Sequence, residues 1–300
     1  MKKFISNILL FLFPIVLIII FMEISLRQIP NVYSYKREYL NLHSREINTL
    51  ILGNSYSYHG IDPRFFSMNT FNASYSMQPL IYDFEILKKY ENNFDNLHTI
   101  IVPISYNSFY IKSARDIIKN YNYVVYYDLD VDHSFRDLFI VLNNSFKANL
   151  KSIFTYYIVR DNQLKCSILG WYPTEGPIDL IRSGQNNAEW HKTWSTNELK
   201  VFEANTSLLH SIISWSKNKN VKVILYTPPA FETYRKYVND DQLSITIETA
   251  KRIANQYDNC SYYNFFENIE YTAKDYYDAD HLNEIGAKKL SLMINEKISN

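Results

Sequence analysis

Ile47-Asn48-Thr49-Leu50-Ile51-Leu52-Gly53-Asn54-Ser55 is a short apolar run that a glycine breaks and a serine closes. Its aliphatic residues stand together instead of alternating with polar ones, the pattern of a strand buried on both faces of a parallel sheet. Gly53 permits a tight turn out of the strand. A serine two positions further on projects into the crevice above the carboxyl end of such a sheet, where open α/β folds bind ligands.

Outward from this run the same alternation of elements repeats. Strands are expected at 99–104 and 221–226, each a short apolar stretch, and on a weaker pattern at 68–73 and 261–265. Between them Leu80, Ile81, Phe84 and Leu87 recur at helical spacing, as do Leu208, Leu209, Ile212 and Ile213. Leu243, Ile247, Ala250, Ala254 and Tyr257 line one helix face, and Ile285, Leu290, Met293 and Ile294 give the last helix its buried side. Strands alternating with helices predict an α/β fold, a three-layer α/β/α sandwich around a parallel sheet. Residues 110–200 break the rhythm. They are rich in aromatic and polar residues and read as an insertion, mixed or helical, and a candidate substrate-binding element or lid.

The amino terminus is of another kind. Residues 4–22 are apolar apart from Ser6, Asn7 and Pro14. At the rise of a helix they span roughly 28 Å, close to the hydrocarbon thickness of a bilayer. No small-residue cleavage site and no lipobox cysteine follows, so an uncleaved anchor over residues 1–27 is expected, then a linker over 28–46 and one catalytic domain over 47–300. Lys2 and Lys3 favour a cytoplasmic amino terminus, although Arg27, Lys36 and Arg37 dilute the bias. The expected location is therefore a single-pass membrane protein with its domain outside the cytoplasm.

Composition narrows the chemistry. Lysine plus arginine, 31, equals aspartate plus glutamate, 31, so there is no basic footprint for nucleic acid. No HExxH, CxxC, GxGxxG or Walker sequence occurs, and neither a metal nor a cofactor is expected. Cys166 and Cys260 are too few for a disulfide framework; they form one bridge or stay as thiols.

At the far end of the chain stands Asp278-Ala279-Asp280-His281-Leu282-Asn283. A carboxylate three residues before a histidine, in a turn leading into a helix, can accept the Nδ1 proton. Nε2 then faces a nucleophile as general base and later as general acid. Ser55 needs such a base, because a serine hydroxyl is a weak nucleophile at its own pKa. Asp280 also reaches the histidine in a turn of this size. His59, four residues after Ser55, and His191, beside Trp190 in the insertion, are further candidates to line the cleft, and each also fits an ordinary packed histidine.

Gly53-Asn54-Ser55 and the D-x-x-H of Asp278 and His281 resemble the two end motifs of the SGNH (GDSL-like) hydrolase family. The likeness covers residues 47–110 and 220–298 and is strongest to a membrane-anchored bacterial branch. That branch is similar to the D-alanine transfer protein of teichoic acid modification and to polysaccharide O-acetyltransferases. The resemblance implies a serine esterase or acyltransferase with Ser55 as nucleophile and Asp278 and His281 completing a triad. It also implies an acyl ester or envelope glycan as substrate, and an oxyanion hole built from a glycine amide and an asparagine side chain. Here those middle blocks read Asn72-Ala73-Ser74-Tyr75-Ser76, without glycine, and Pro103-Ile104-Ser105-Tyr106-Asn107. An amide near Ser76 or Ser74 and the side chain of Asn107 or Ser105 are the candidate donors. Their departure from the pattern leaves a second reading open, a catalytically silent domain that binds or scaffolds an envelope assembly.

Overall fold

The computed structural model describes residues 2–111, 120–161 and 164–299. In chain order its principal elements are α1 (Lys2–Arg27), α2 (Val32–His43), β1 (Thr49–Ile51), α3 (Ser55–Gly60), β2 (Thr70–Asn72), α4 (Leu80–Lys89) and β3 (Thr99–Pro103). There follow α5 (Phe146–Phe154), α6 (Leu180–Trp194), α7 (Leu199–Asn218), β4 (Lys222–Thr227), α8 (Asp240–Ala254), β5 (Cys260–Asn264) and α9 (Glu284–Ser299). The chain falls into two compact units, Met1–Glu38 with Lys119–Lys165, and Tyr39–Ile118 with Cys166–Asn300. Their boundaries lie inside the stretches expected as linker and as insertion. Residues 112–119 and 162–163 of that insertion, and residue 300, lie outside the described residues.

The stretch expected as a linker is largely helical. Asn31 accepts the amides of Tyr33 and Ser34 through Oδ1, at 3.0 and 3.1 Å, which caps α2 at its start. No glycine or proline interrupts the helix before His43.

In the first unit α1 carries apolar side chains outward along nearly its whole length. Only its last turns are covered, at Met22, Glu23, Ser25 and Leu26. Leu26 and Ile29 form a small core with Tyr121 and Ile140, against which Val125, Val141, Ile153 and Tyr156 pack. The Glu23 carboxylate accepts the amides of Ile140 and Val141 at 3.2 and 3.0 Å and the Arg27 guanidinium at 2.8 Å. α1 is therefore both a long apolar rod and, at its carboxyl end, part of a folded structure.

The second unit is an α/β sandwich on a five-stranded sheet, all parallel, in the order β2-β1-β3-β4-β5. The register aligns Ile51 with Ile101 and Ile101 with Ile224. Because side chains alternate across a strand, these three share one face with Tyr226. On that face they build a core with Ile61, Phe265, Tyr276, Leu282, Leu290 and Ile294 under α9. Leu50, Ile100, Val223 and Leu225 point to the opposite face, where Leu209, Ile212 and Ile213 of α7 are fully buried. Ile285, expected on the buried side of α9, is exposed, because five residues before Leu290 it is turned well off that face.

The chain leaves β1 for β2 on one side and then crosses to β3 on the other. The strand order therefore reverses between β1 and β3, and the crevice between their carboxyl ends is the natural ligand position of such a sheet.

Candidate functional site

Ser55 stands at that reversal. Gly53, at φ +100°, makes the exit from β1, and a Cβ there would meet the Pro103 ring at 2.2 Å, so both the backbone angle and the neighbour demand glycine. The Gly53 amide donates to the buried Asp83 carboxyl at 2.8 Å, which Gln78 also contacts at 2.6 Å. Asn54 caps α3, accepting the Tyr56 amide through its side chain. Ser55 is thus the first residue of a helix whose entry is held from two sides.

The second motif is a self-bonded turn after β5. Asp278 Oδ1 accepts the amides of Asp280 and His281 at 3.1 and 2.8 Å. Asn283 caps α9, accepting the amides of Ile285 and Gly286, and donates to the carbonyls of Lys274 and Tyr276. From this frame the His281 ring reaches both ways. Nδ1 lies 3.0 Å from Asp278 Oδ1, and Nε2 lies 2.8 Å from Ser55 Oγ, across 226 residues of chain. Tyr56 stacks on the imidazole with centroids 5.2 Å apart and donates its hydroxyl to Asp280 at 2.8 Å.

Asp280 is a second carboxylate behind the ring, 3.5 Å from His281 Nδ1 and almost wholly buried. It also accepts from Asn187 at 2.6 Å and lies 3.8 Å from His191 Nε2. Burial works against a charged imidazolium, but Asp280 and Asp278 outweigh it and hold His281 well above the usual histidine range. Burial likewise opposes the charge on Asp280, yet His281 and His191 pull it below the usual carboxylate range. Burial lowers His191, with Asp280 opposing.

A cavity of about 40 Å³ opens at Ser55, lined by Asn54, Tyr56, Met77, Asn107, Ile111, Trp190, His191 and Trp194. Of the residues expected from sequence, Asn107 and His191 line it and Ser105 does not. Ser105 is buried beneath, donating to Asn107 Oδ1 at 3.1 Å and accepting from Asn54 Nδ2 at 3.4 Å. With its oxygen so engaged, Asn107 keeps its Nδ2 donor uncommitted among the described residues. Ser74 is turned inward onto Asn72. Ser76 is half-buried beside Met77, whose φ of +60° is one that glycine or asparagine ordinarily supplies. The amides of Ser55, Ser76 and Met77 have no acceptor among the described residues. His59 packs edge-on against His281, with centroids 5.7 Å apart, and its Nδ1 meets the Tyr172 carbonyl at 3.3 Å.

Sequence reasoning passed over Tyr56, Met77 and the two tryptophans. Trp190 and Trp194 sit four apart on α6 and meet edge-on at 5.5 Å. The aromatic content of the insertion and that spacing were the available signals. The Trp194 Nε1 proton is buried without an acceptor among the described residues.

Asp278, Asp280 and His281 bring their ligating atoms within 4.8 Å of one another, close enough to hold a metal ion. Their lone pairs are already engaged with backbone amides, Tyr56, Asn187 and one another, so an ion there would displace the Asp278–His281 hydrogen bond. The trio fits a hydrogen-bonded relay better than a metal centre. Cys166 and Cys260 are not joined in a disulfide, and burial pushes Cys260 up to about 12.

A family model described as a protein of unknown function, DUF1574, matches residues 179–286. No curated protein matches the chain. Among solved structures, a provisionally assigned platelet activating factor from Streptococcus pneumonia is similar at 12% identity and a TM-score of 0.44, covering 89% of this chain and 90% of that one. A provisionally assigned acylhydrolase from Bacteroides fragilis is similar at 11% identity and a TM-score of 0.41, covering 88% of this chain and 95% of the other. These likenesses are too distant to assign a role to any residue.

Proposed function

We propose that this chain is a serine-dependent esterase or O-acyltransferase of the SGNH type, acting on short acyl esters. One observation carries the reading: the 2.8 Å approach of Ser55 Oγ to His281 Nε2, with Asp278 behind Nδ1. Ser55 Oγ attacks the acyl carbonyl while its proton passes to Nε2. The tetrahedral oxyanion is met by donors without other partners, the Ser55 amide and the Asn107 side chain, with Ser76 or Met77 supplying a third amide. Collapse breaks the ester bond, and the leaving alcohol takes the proton from Nε2. Water or a sugar hydroxyl then attacks the acyl-enzyme by the same route in reverse.

The cavity favours a small acyl group. Its volume has room for roughly three water-sized groups, the size of acetyl. An envelope glycan as acceptor, and a position outside the cytoplasm, follow from the resemblance of the two motifs together with the apolar helix α1. Retention of α1 as an anchor is supported by Glu23 and Leu26, which belong to the packing of the first unit.

Treatment of the purified protein with a fluorophosphonate tests the reading. Covalent labelling is expected, lost in Ser55→Ala and slowed at least about 10³-fold in His281→Ala. A folded wild-type protein that takes no label would overturn it and leave the silent binding domain.

A further inference from the structure

The first unit carries an apolar stripe that its own core does not use. Along α5 and the turn that continues it, Phe146, Leu150, Phe154 and Ile158 recur every four residues and are 64%, 45%, 56% and 67% exposed. The other side of the same segment packs inward, with Asn149 buried and Ile153 and Tyr156 against the small core of Leu26, Ile29, Tyr121 and Ile140. Four large apolar side chains on one face of so short an element form a patch that water does not stabilise, and patches of this kind mark an interaction surface.

What covers the stripe follows from what it is fastened to. Tyr157 donates to the Ser25 carbonyl at 3.0 Å and Tyr126 to the Leu26 carbonyl at 3.2 Å, and Glu23 holds the amides of Ile140 and Val141. All these contacts are made to α1 just where its apolar stretch ends. If that stretch spans a bilayer, the residues bonded to its last turns lie within one or two helical turns of the headgroups. The charge agrees. From Leu138 to Arg160 the chain has Lys147, Lys151 and Arg160 and no acidic residue, in a protein with no net charge. Lys147 and Lys151 are exposed beside Phe146 and Leu150, the arrangement of a helix lying in an anionic lipid interface with its ammonium groups reaching the phosphates.

We propose that the Phe146–Leu150–Phe154–Ile158 face is a lipid-binding surface, lying in the interfacial layer of the bilayer that α1 crosses. The unit would then hold the membrane by two devices, a span and a flat amphipathic element beside it. This inference rests on the reading of α1 as a span, and the experiment separates the two.

The full chain, with Cys166 and Cys260 changed to serine, is reconstituted in nanodiscs of phosphatidylcholine and phosphatidylglycerol. An environment-sensitive fluorophore is placed in turn at Ile18→Cys, Leu150→Cys and Phe154→Cys, all exposed positions whose substitution leaves the core intact. Emission at all three is expected to fall by about half or more with acyl-chain nitroxide lipids and to resist aqueous iodide. Lipid quenching at 18 with iodide quenching at 150 and 154 would overturn the surface and keep the span. Emission at 150 and 154 shielded from both quenchers would mean that protein covers the face, which also overturns it. Loss of lipid quenching at 18 would overturn both readings together.

Discussion

Two carboxylates stand behind one imidazole, and they have different work. Asp278 meets Nδ1 directly and fixes the tautomer, whereas Asp280 adds charge from beside it. Because the pair holds His281 above its ordinary 6.5, the neutral base forms only at raised pH. Esterase activity is therefore expected to climb with pH through a midpoint above that value. Asp280→Asn should move this acidic limb to lower pH with little loss at the plateau, while Asp278→Asn should cut kcat by ~10²–10⁴ at every pH. A profile unchanged by Asp280→Asn would contradict the assignment. Asp83 makes a second test. Burial pushes it up to about 7, with Gln78 and the Gly53 amide opposing, and its Oδ2 has no partner among the described residues. The folded state then keeps a proton that the unfolded chain has already released above the ordinary 3.8, so stability falls as pH rises from there through about 7. Asp83→Asn should leave the melting temperature near pH 4 almost unchanged and raise stability above pH 7 by roughly 1–3 kcal/mol, measured by urea unfolding. Ser55, Asp278 and His281 could be picked out from sequence because each lies in a contiguous motif with its own local grammar. Tyr56 and Asp83 could not, since their importance comes from partners that only the fold brings near.

At the scale of elements, α6 matters most, because it brings Asn187, Trp190, His191 and Trp194 to the site from within the expected insertion. If the tryptophans set the depth of the acyl pocket, Trp190→Ala should raise the relative rate on p-nitrophenyl butyrate over acetate by about tenfold, a gain of the size a few buried methylenes bring. An unchanged ratio would mean that the acyl chain lies elsewhere. β1, β3 and β4 were readable because buried parallel strands are short apolar runs, whereas β2 and the half-exposed β5 lie near their expected places with a weaker signal, polar residues interrupting each. Residues 32–43 show the opposite case. Their polar composition suggests a linker, but a cap at Asn31 and an uninterrupted helical stretch decide the outcome. Met77 is harder still. A left-handed backbone is advertised in sequence by glycine or asparagine, and here neither is present.

For the whole molecule, the covered end of α1 makes a difference between two truncations. Removing residues 2–20 leaves Glu23 and Leu26 in place, and the first unit should stay resistant to limited proteolysis. Removing residues 2–29 strips the partners of Tyr121 and Ile140, and cleavage within 120–160 should become at least about tenfold faster, as lost core packing lowers the cost of local opening. Equal resistance would show that α1 is dispensable to the fold, as a removed leader would be. The separation of Ser55 from His281 by 226 residues has a consequence for how the protein is made. The Ser55 hydroxyl enters the growing chain 226 residues ahead of the imidazole that meets it in the fold. A chain that stops between Ser55 and His281 would therefore carry the proposed nucleophile without its base.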